Sequence, residues 1–366
     1  MKAFANIKSR YAEYKALDSA DKVKAWKEGL INNAIYLLII IAVIYTYTQN
    51  SRFLSVASIV NIISLSAANI PIACGIAGTI VLTGTDLSAG RVVGLTACIS
   101  ASLLQSVTYA TKIFPDLPVL PIPLVILIVI VVGGIVGWVN GFFVAKFHLH
   151  PFIVTLAGMF FARGMTAVIC KEQVSIVSDK IFTALSNFKI QFPFGGTINK
   201  KGVLVLPYIR ITVIVALIVV VAIYLMLKYT KFGRSIYAIG GNQQSATLMG
   251  LDVKKTKLKT YMLSSFLTSI GGICFCLNTM AGTTTQATGL EMDAISSAVI
   301  GGTLLTGGVG NVLGSLFGVL INGTISTLVK TNGKLISSWS NIVTAILLCF
   351  FIILQSIFAK IKESKK

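Results

Sequence analysis

The sequence predicts an all-α, polytopic transmembrane helical bundle. Three observations carry this. Apolar runs recur from one end of the 366-residue chain to the other. The chain is 55% hydrophobic and only 12% charged, with a mean hydropathy of +0.85, whereas a soluble domain carries about 25% charged residues. Runs such as YLLIIIAVIYTYT at 36–48 lack the alternation of a membrane β-strand.

Residues 1–29 are polar and charged. They show no pattern of a cleavable leader, so the first apolar run is expected to act as an uncleaved anchor. Within DSADKVKAWKEGL, Asp18 and Ser19 carry helix-start chemistry, and Val23, Trp26 and Leu30 fall near one face. A short helix at the membrane surface is expected there.

Since about 20 helical residues cross the hydrocarbon core, about ten spans are expected. They fall at 30–48, 54–82, 88–106, 122–146, 151–170, 207–228, 260–280, 290–306, 310–330 and 339–359. The second is too long for one clean span, and Pro71, Gly75 and Gly78 predict a kink or break within it. Seven Lys/Arg lie in the N-terminal tail, and seven lie in 228–259 against one acid, Asp252. The C-terminus ends in KIKESKK. An even number of spans puts all three segments, both termini included, on the cytoplasmic side. The expected organisation is therefore a cytoplasmic tail 1–29, a transmembrane domain 30–359 and a basic tail 360–366.

Loop 171–206 then lies outside, although it carries five lysines. Its FPFGGTINKKG predicts a turn between two short extended pieces. The other outer loop, 107–121, is proline-rich, and reads equally as a stiff connector or as a docking surface for a soluble partner.

The net charge of +19 sits mostly in tails and loops, where it orients the chain and implies no nucleic-acid partner. The six cysteines lie within or at the ends of apolar segments without metal or redox spacing, and read as small packing residues. His148 and His150 flank a short turn, HLHP, and read as loop residues; no metal site is expected. The spans hold no histidine and almost no acid, so nothing resembles a proton relay, and no arginine ladder is present.

The stretch GTDLSAGR at 84–91 places Asp86 and Arg91 between apolar runs. A charge at the bilayer centre costs several kcal/mol. Asp86 and Ser88 have the chemistry to start the following helix; they equally suit a polar path or gate. Thr83, Asp86, Ser88, Arg91, Asn140, Asn278 and Thr303 are the candidates for that path. Asn61, Asn69, Thr155, Arg163 and Asn322 are further polar groups within spans, suited to hold helices together or to line a wet route. Gly133–Gly137 and Gly314–Gly318 have the spacing that lets helices approach closely. TIVLTG at 79–84 and GTLLTG at 302–307 form an internal echo, each opening into a glycine-bearing turn. Irregular backbone of this kind is tolerated in a membrane only within protein or beside a cavity.

The segment KFGRSIYAIGGNQQSATLMGLDVKKTK exceeds a minimal connector. Asn242 is placed to cap a short helix over QQSATLMG, and Gly250 to end it. Such a helix, lying across a cytoplasmic loop, suits docking into a partner's groove.

With GTDLSAGR, FPDLPVLPIPLVILIV, FGRSIYAIGGNQQSATLMG and LEMDAISSAVIGGTLLTGGVGNVLGS in this order, the chain resembles the permease subunits of bacterial ABC-type sugar importers. It is most like the galactose and methyl-galactoside members of the ribose/galactose/xylose branch. The resemblance runs from about residue 28 to the end. It implies a coupling loop that docks on a separate ATPase, with Gln244, Ser245 and Ala246 where the family's E-A-A stands and Gly250 at its spaced glycine. The first two of these positions depart from the family pattern. Gly240 and Asn242 belong to the same loop.

The resemblance further implies a homodimer of permeases around one path and an outer sugar-binding protein, periplasmic or lipid-anchored. It also implies an ABC subunit that uses ATP and Mg. The chain has no GxxxxGK[ST] phosphate loop, so it is expected to hydrolyse nothing itself and to bind no cofactor. The implied cargo is a hexose, galactose or a methyl galactoside. Ribose, xylose and an ion-coupled secondary mechanism are the alternatives.

Overall fold

The structure is a computed structural model that describes residues 54–106, 112–118, 120–176, 180–198, 204–331 and 338–363, with Ile44, Tyr47 and Thr48. The chain forms two compact units, Arg52–Gln355 and Met1–Ser51 with Ser356–Lys366. The account below concerns the first. The tail expected at 1–29 and nearly all of the first span, 30–48, lie outside the described residues.

The described helices are α1 (Val56–Ser66), α2 (Asn69–Val81), α3 (Ala89–Leu103), α4 (Ile122–Lys146), α5 (Pro151–Ile169), α6 (Lys180–Asn187), α7 (Ile211–Tyr229), α8 (Lys231–Gly241), α9 (Gln243–Leu248), α10 (Val253–Thr279), α11 (Leu290–Ile300), α12 (Val312–Thr331) and α13 (Ser338–Glu363). Five of them are long and apolar enough to cross a membrane, or six spans result if α1 and α2 count as one. Of the about ten spans expected, five or six are therefore found as full-length crossings among the described residues. α3 has 15 residues and α11 has 11, where full spans were expected at 88–106 and 290–306. At 1.5 Å per residue these helices reach only about 22 and about 16 Å, short of a hydrocarbon core about 30 Å thick. Glycine turns, GTDLSAG before α3 and GGTLLTGGVG after α11, cut both.

The break expected in 54–82 is present, as a 54° bend between α1 and α2. It falls at Ala67 and Ala68, ahead of Pro71. Pro71 thus sits in the first turn of α2, where its missing N–H has no intrahelical partner to lose.

α10 is the central helix. In its most apolar window 67% of residues are buried, against 22–39% in the other candidate spans. It packs on α4, α3 and α2. Many of its buried residues are hydroxylic, and several bond back to their own helix. Thr260, Thr268 and Ser269 donate to the carbonyls of Thr256, Ser264 and Ser265 at 2.8 Å. This leaves a narrow face on which neighbours lie close. Gly133, Gly137 and Gly141 of α4 form one stripe against Ser269, Ser265 and Leu258. Gly75 of α2 lies against Ser264, and Gly272 of α10 against Thr96 of α3. On the other side, Gly314 and Gly318 of α12 lie on the backbone of Gly301 and Ser297 in and after α11. Both close-approach motifs read from the sequence are therefore spent on contacts within the chain.

The loop 171–206 carries short strands in an otherwise helical fold. β2 (Lys189–Gln191) pairs antiparallel with β5 (Tyr208–Arg210), and β3 (Thr197–Ile198) pairs with β4 (Leu204–Val205) inside it. The FPFGG turn, with Gly195 at φ +79°, leads from the outer pair to the inner one. β1 (Val174–Ser175) pairs with β6 (Ala281–Gly282), tying this loop to the end of α10. α6 is an amphipathic addition that the sequence reading did not include.

A Cβ at position 137 would stand 2.7 Å from Ser265 Cβ and from the Tyr261 carbonyl, whereas one at 134 meets nothing within 4 Å. Gly137→Ala is therefore expected to destabilise the detergent-solubilised protein by about 1–3 kcal/mol. Gly134→Ala is expected to leave it unchanged or slightly firmer. Thermal melts followed by size-exclusion chromatography measure both.

Candidate functional site: a glycine junction, a buried carboxylate and a polar cavity

The expected path residues do not converge on one place. Asp86, Ser88 and Asn140 form one cluster. The Asp86 carboxylate accepts from Ser88 N at 3.1 Å and Ser88 Oγ at 2.6 Å through one oxygen. The other oxygen accepts from Ser264 Oγ of α10 at 2.7 Å. Asn140 of α4 donates to Ser88 Oγ at 3.0 Å. Asp86 and Ser88 are fully buried. The bond from Ser88 N is a side-chain turn that sets the entry to α3 and places a negative group at its N-terminus. Asp86 thus joins the GTDLSAGR turn to α10 directly and to α4 through Ser88.

Arg91 stands elsewhere. It borders a cavity of about 490 Å³ with Arg163, Lys171 and Thr284. Asn278 lies near the end of α10 that follows the membrane crossing and accepts from Arg210 at 3.4 Å. Thr83 and Thr303 border a third feature, the junction of the two glycine turns.

That junction starts from the end of α2. Thr83 N and Gly84 N donate to the carbonyls of Ile80 and Thr79, both at 2.9 Å, and Thr83 takes φ 60°. This is the left-handed C-cap arrangement usually given to glycine; a β-branched residue there is strained. Gly84 follows because the Tyr261 hydroxyl leaves no room for a Cβ. α11 ends the same way, with Gly302 at φ +90° and bonds to Val299 and Ala298 at 3.0 Å. The echo seen in sequence is nevertheless not a pair of equivalent positions. TIVLTG is the last turn of α2 and its cap, whereas GTLLTG is irregular backbone after α11. The two segments instead touch: Gly308 N donates to the Val81 carbonyl at 2.8 Å.

The residues of the loop 231–250 reach this same point. Gly240, near the end of α8, lies against the Val81 carbonyl and Gly308, where no Cβ fits. Gly241 lies under Gly308. Tyr237 donates from its hydroxyl to the Gly310 carbonyl at 3.0 Å, and burial pushes its phenol pKa up, keeping it a donor at neutral pH. Asn242 caps α9 by accepting from Ser245 N at 2.9 Å. Gly250, at φ +79°, ends it through paired bonds to Thr247 and Ala246.

Gln244 and Ser245 are exposed, while Ala246 is fully buried and holds α9 down. The outward apolar groups are Leu248, 90% exposed, and Met249, 69% exposed, which the sequence reading did not single out. His148 and His150 border a cavity of about 340 Å³ beside Thr83 and Gln243, so the HLHP turn shares this end of the bundle.

A cavity of about 650 Å³ lies between α1, α2, α11, α12 and α13. Asn61, Ser66, Asn69, Asp293 and Asn322 give it polar walls, and Phe275 and Leu290 apolar ones. Asp293 is absent from the sequence candidates because an acid in the first turn of a helix reads as dipole compensation. Among the described residues, no group of three or more metal-ligating side chains is found.

Asp86→Ala would leave Ser88 N, Ser88 Oγ and Ser264 Oγ without an acceptor in an apolar setting, at about 1–3 kcal/mol each. The expected outcome is a several-fold loss of folded protein in the membrane. Asp86→Asn, which keeps one accepting oxygen, should fall between Ala and the parent. Fluorescence-detected size exclusion on matched expression levels measures this order.

The family described as "Branched-chain amino acid transport system / permease component" matches residues 51–352. The inner membrane ABC transporter permease protein YjfF of Escherichia coli K12 is 39% identical over 86% of this chain and 88% of its own length. The galactose/methyl galactoside import permease protein MglC of the same organism is 35% identical over 93% of this chain and 98% of its own. The fructose import permease protein FruG of Bifidobacterium longum is 33% identical over 95% and 99%. No solved structure matches. The broken helices, the glycine junction and these alignments along nearly the whole chain agree: the protein belongs to the family of transport-system permease components that includes the bacterial ABC sugar import permeases.

Proposed function

We propose that this chain is the permease subunit of an ATP-driven, binding-protein-dependent importer of a hexose, galactose or a methyl galactoside. A separate subunit hydrolyses ATP with Mg, and this chain binds no cofactor of its own. Two copies enclose the path, a sugar-binding protein docks outside, and α8 with α9 faces the ATPase in the cytoplasm. The chain sits in the bacterial inner membrane with both termini inside. In this reading the short helices α3 and α11, the apolar part of α13 and the segment 30–48 add to the crossing helices to make about ten membrane segments. The relatives' printed substrates are galactose, fructose and ribose. The hexose reading rests on the galactose/methyl galactoside permease, whose alignment takes in 98% of its length.

One observation carries the coupling role. The loop that exposes Leu248 and Met249 is the loop whose Gly240 and Gly241 rest on the junction of the two broken helices. A partner that grips α9 therefore pushes on backbone, through α8, at the point where α2 and the turn after α11 meet. Nucleotide shifts the transporter between its two openings only by binding one of them more tightly. A rigid path from docking knob to junction supplies that difference.

Leu248→Asp tests the reading without disturbing the fold, because the side chain is 90% exposed. Loss of an apolar anchor at the centre of an interface weakens it by about 2 kcal/mol or more, roughly 30-fold. Uptake of radiolabelled D-galactose in proteoliposomes should fall at least about tenfold, with an unchanged melting temperature and loss of sugar-stimulated ATP hydrolysis. Unaltered uptake and hydrolysis would overturn the assignment.

A further inference from the structure

The cavity between α2, α11 and α12 is built of acceptors that lack donors. Ser66 Oγ, Asn69 Oδ1 and Asn322 Oδ1 are buried without a hydrogen-bond partner among the described residues. The Asp293 carboxylate also lines the cavity, and among the described residues only its backbone groups enter hydrogen bonds. The orientation of Asn322 follows from the network. Ser296 and Ser297 donate their hydroxyl protons to the Asp293 carbonyl at 2.9 and 2.6 Å. Their oxygens are then free to accept, and Asn322 Nδ2 meets them at 2.8 Å. That turns the Asn322 carbonyl oxygen away from the serines, unpaired. Buried polar atoms left unpaired cost about 1–3 kcal/mol each, and such a cluster in a roomy cavity is the mark of a missing partner.

The missing partner must bring donors. Among the described residues no Lys, Arg or His lines the cavity, so they offer an anion no counter-charge there. This disfavours a sugar phosphate. It equally disfavours an amino acid, whose carboxylate would face Asp293 unpaired. A neutral polyol fits. Vicinal hydroxyls donate to the two oxygens of one carboxylate, others reach Asn69, Asn322 and Ser66, and Phe275 and Leu290 offer surface to the C–H side of a ring. The volume, about 650 Å³, lies within the usual range for small-molecule pockets, about 300–1,000 Å³.

We infer that this cavity is a monosaccharide-binding site of the permease itself, with Asp293 as its principal acceptor and Asn69 and Asn322 fixing the hydroxyl pattern. The inference rests on the import reading above and names where, within a single copy of the chain, the sugar is held.

The test uses the full chain in nanodiscs and D-galactose as probe. D-galactose should raise the melting temperature by about 2 °C or more, while leucine does not. Asp293→Asn keeps shape and removes charge; Asn69→Leu removes an acceptor. Both should abolish the galactose shift while retaining at least the parent's unliganded melting temperature. A variant that merely misfolds lowers that baseline, and the other then decides.

Absence of a galactose shift in the parent protein overturns the site, and so does its persistence in Asp293→Asn. A shift produced by sodium chloride but not by potassium chloride at the same concentration marks the cavity as a cation site and overturns it too. The import reading is judged separately: if Leu248→Asp abolishes D-galactose uptake and the parent shows no galactose shift, only the cavity assignment falls.

Discussion

The carbonyl of Val81 is the group around which one end of this bundle is arranged. It belongs to the last turn of α2, where a helix leaves its final carbonyls without intrahelical donors. In apolar surroundings no water replaces them. The chain covers two of these carbonyls locally by bending Thr83 into the left-handed region. Val81 is covered from a distance, by Gly308 N at 2.8 Å. That bond brings the turn after α11 onto the end of α2, and only residues without a Cβ fit around it. A Cβ at Gly240, Gly307 or Gly308 would clash with backbone from another segment. One unmet hydrogen bond thus explains why three distant glycines meet.

The same rule, that polar groups in lipid must be met by protein, accounts for the Asp86 cluster and for α10. Asp86 spends both oxygens on Ser88 and Ser264, and α10 bonds many of its hydroxyls back to itself. Polarity there holds helices together. The cavity near Asp293 obeys the rule in reverse, since its acceptors are left open. The contrast between a closed polar cluster and an open one separates a structural carboxylate from a binding one more sharply than position in the sequence does.

Much of this was legible in the sequence. The membrane class, the break in 54–82, the cap at Asn242, the stop at Gly250 and both glycine pairs follow from hydropathy, turn chemistry and spacing. The lengths of α3 and α11 were not, because hydropathy reads a helix together with the irregular backbone beside it, so that both read as full crossings. Which residues of QQSATLMG face outward was also hidden. A helix of six residues has too little periodicity to assign a face, and only packing shows that Ala246 is buried and Leu248 is not. Asp293 escaped because local helix chemistry already explains an acid at that place, and its lack of donors is a property of four other elements.

The position of α11 connects the two ends of the mechanism proposed here. It is a short rod of 11 residues. Asp293 stands in its first turn, against the cavity, and Gly301 follows its last, leading directly into the turn held by Val81 and Gly240. Gly314 and Gly318 bring α12 into backbone contact with it, so a shift of α11 meets α12 backbone with no side chain between to absorb it. A shift of α8 imposed by a partner at Leu248 is therefore not absorbed locally by flexible side chains; backbone meets backbone at each step. The end of the rod moves with the junction, and the carboxylate at its start moves against Asn69 on α2. Coupling between nucleotide and sugar then needs no continuous wire of polar residues. It needs only that α11 take two positions, in one of which the acceptors of α2 and α11 face each other across a sugar and in the other of which they do not.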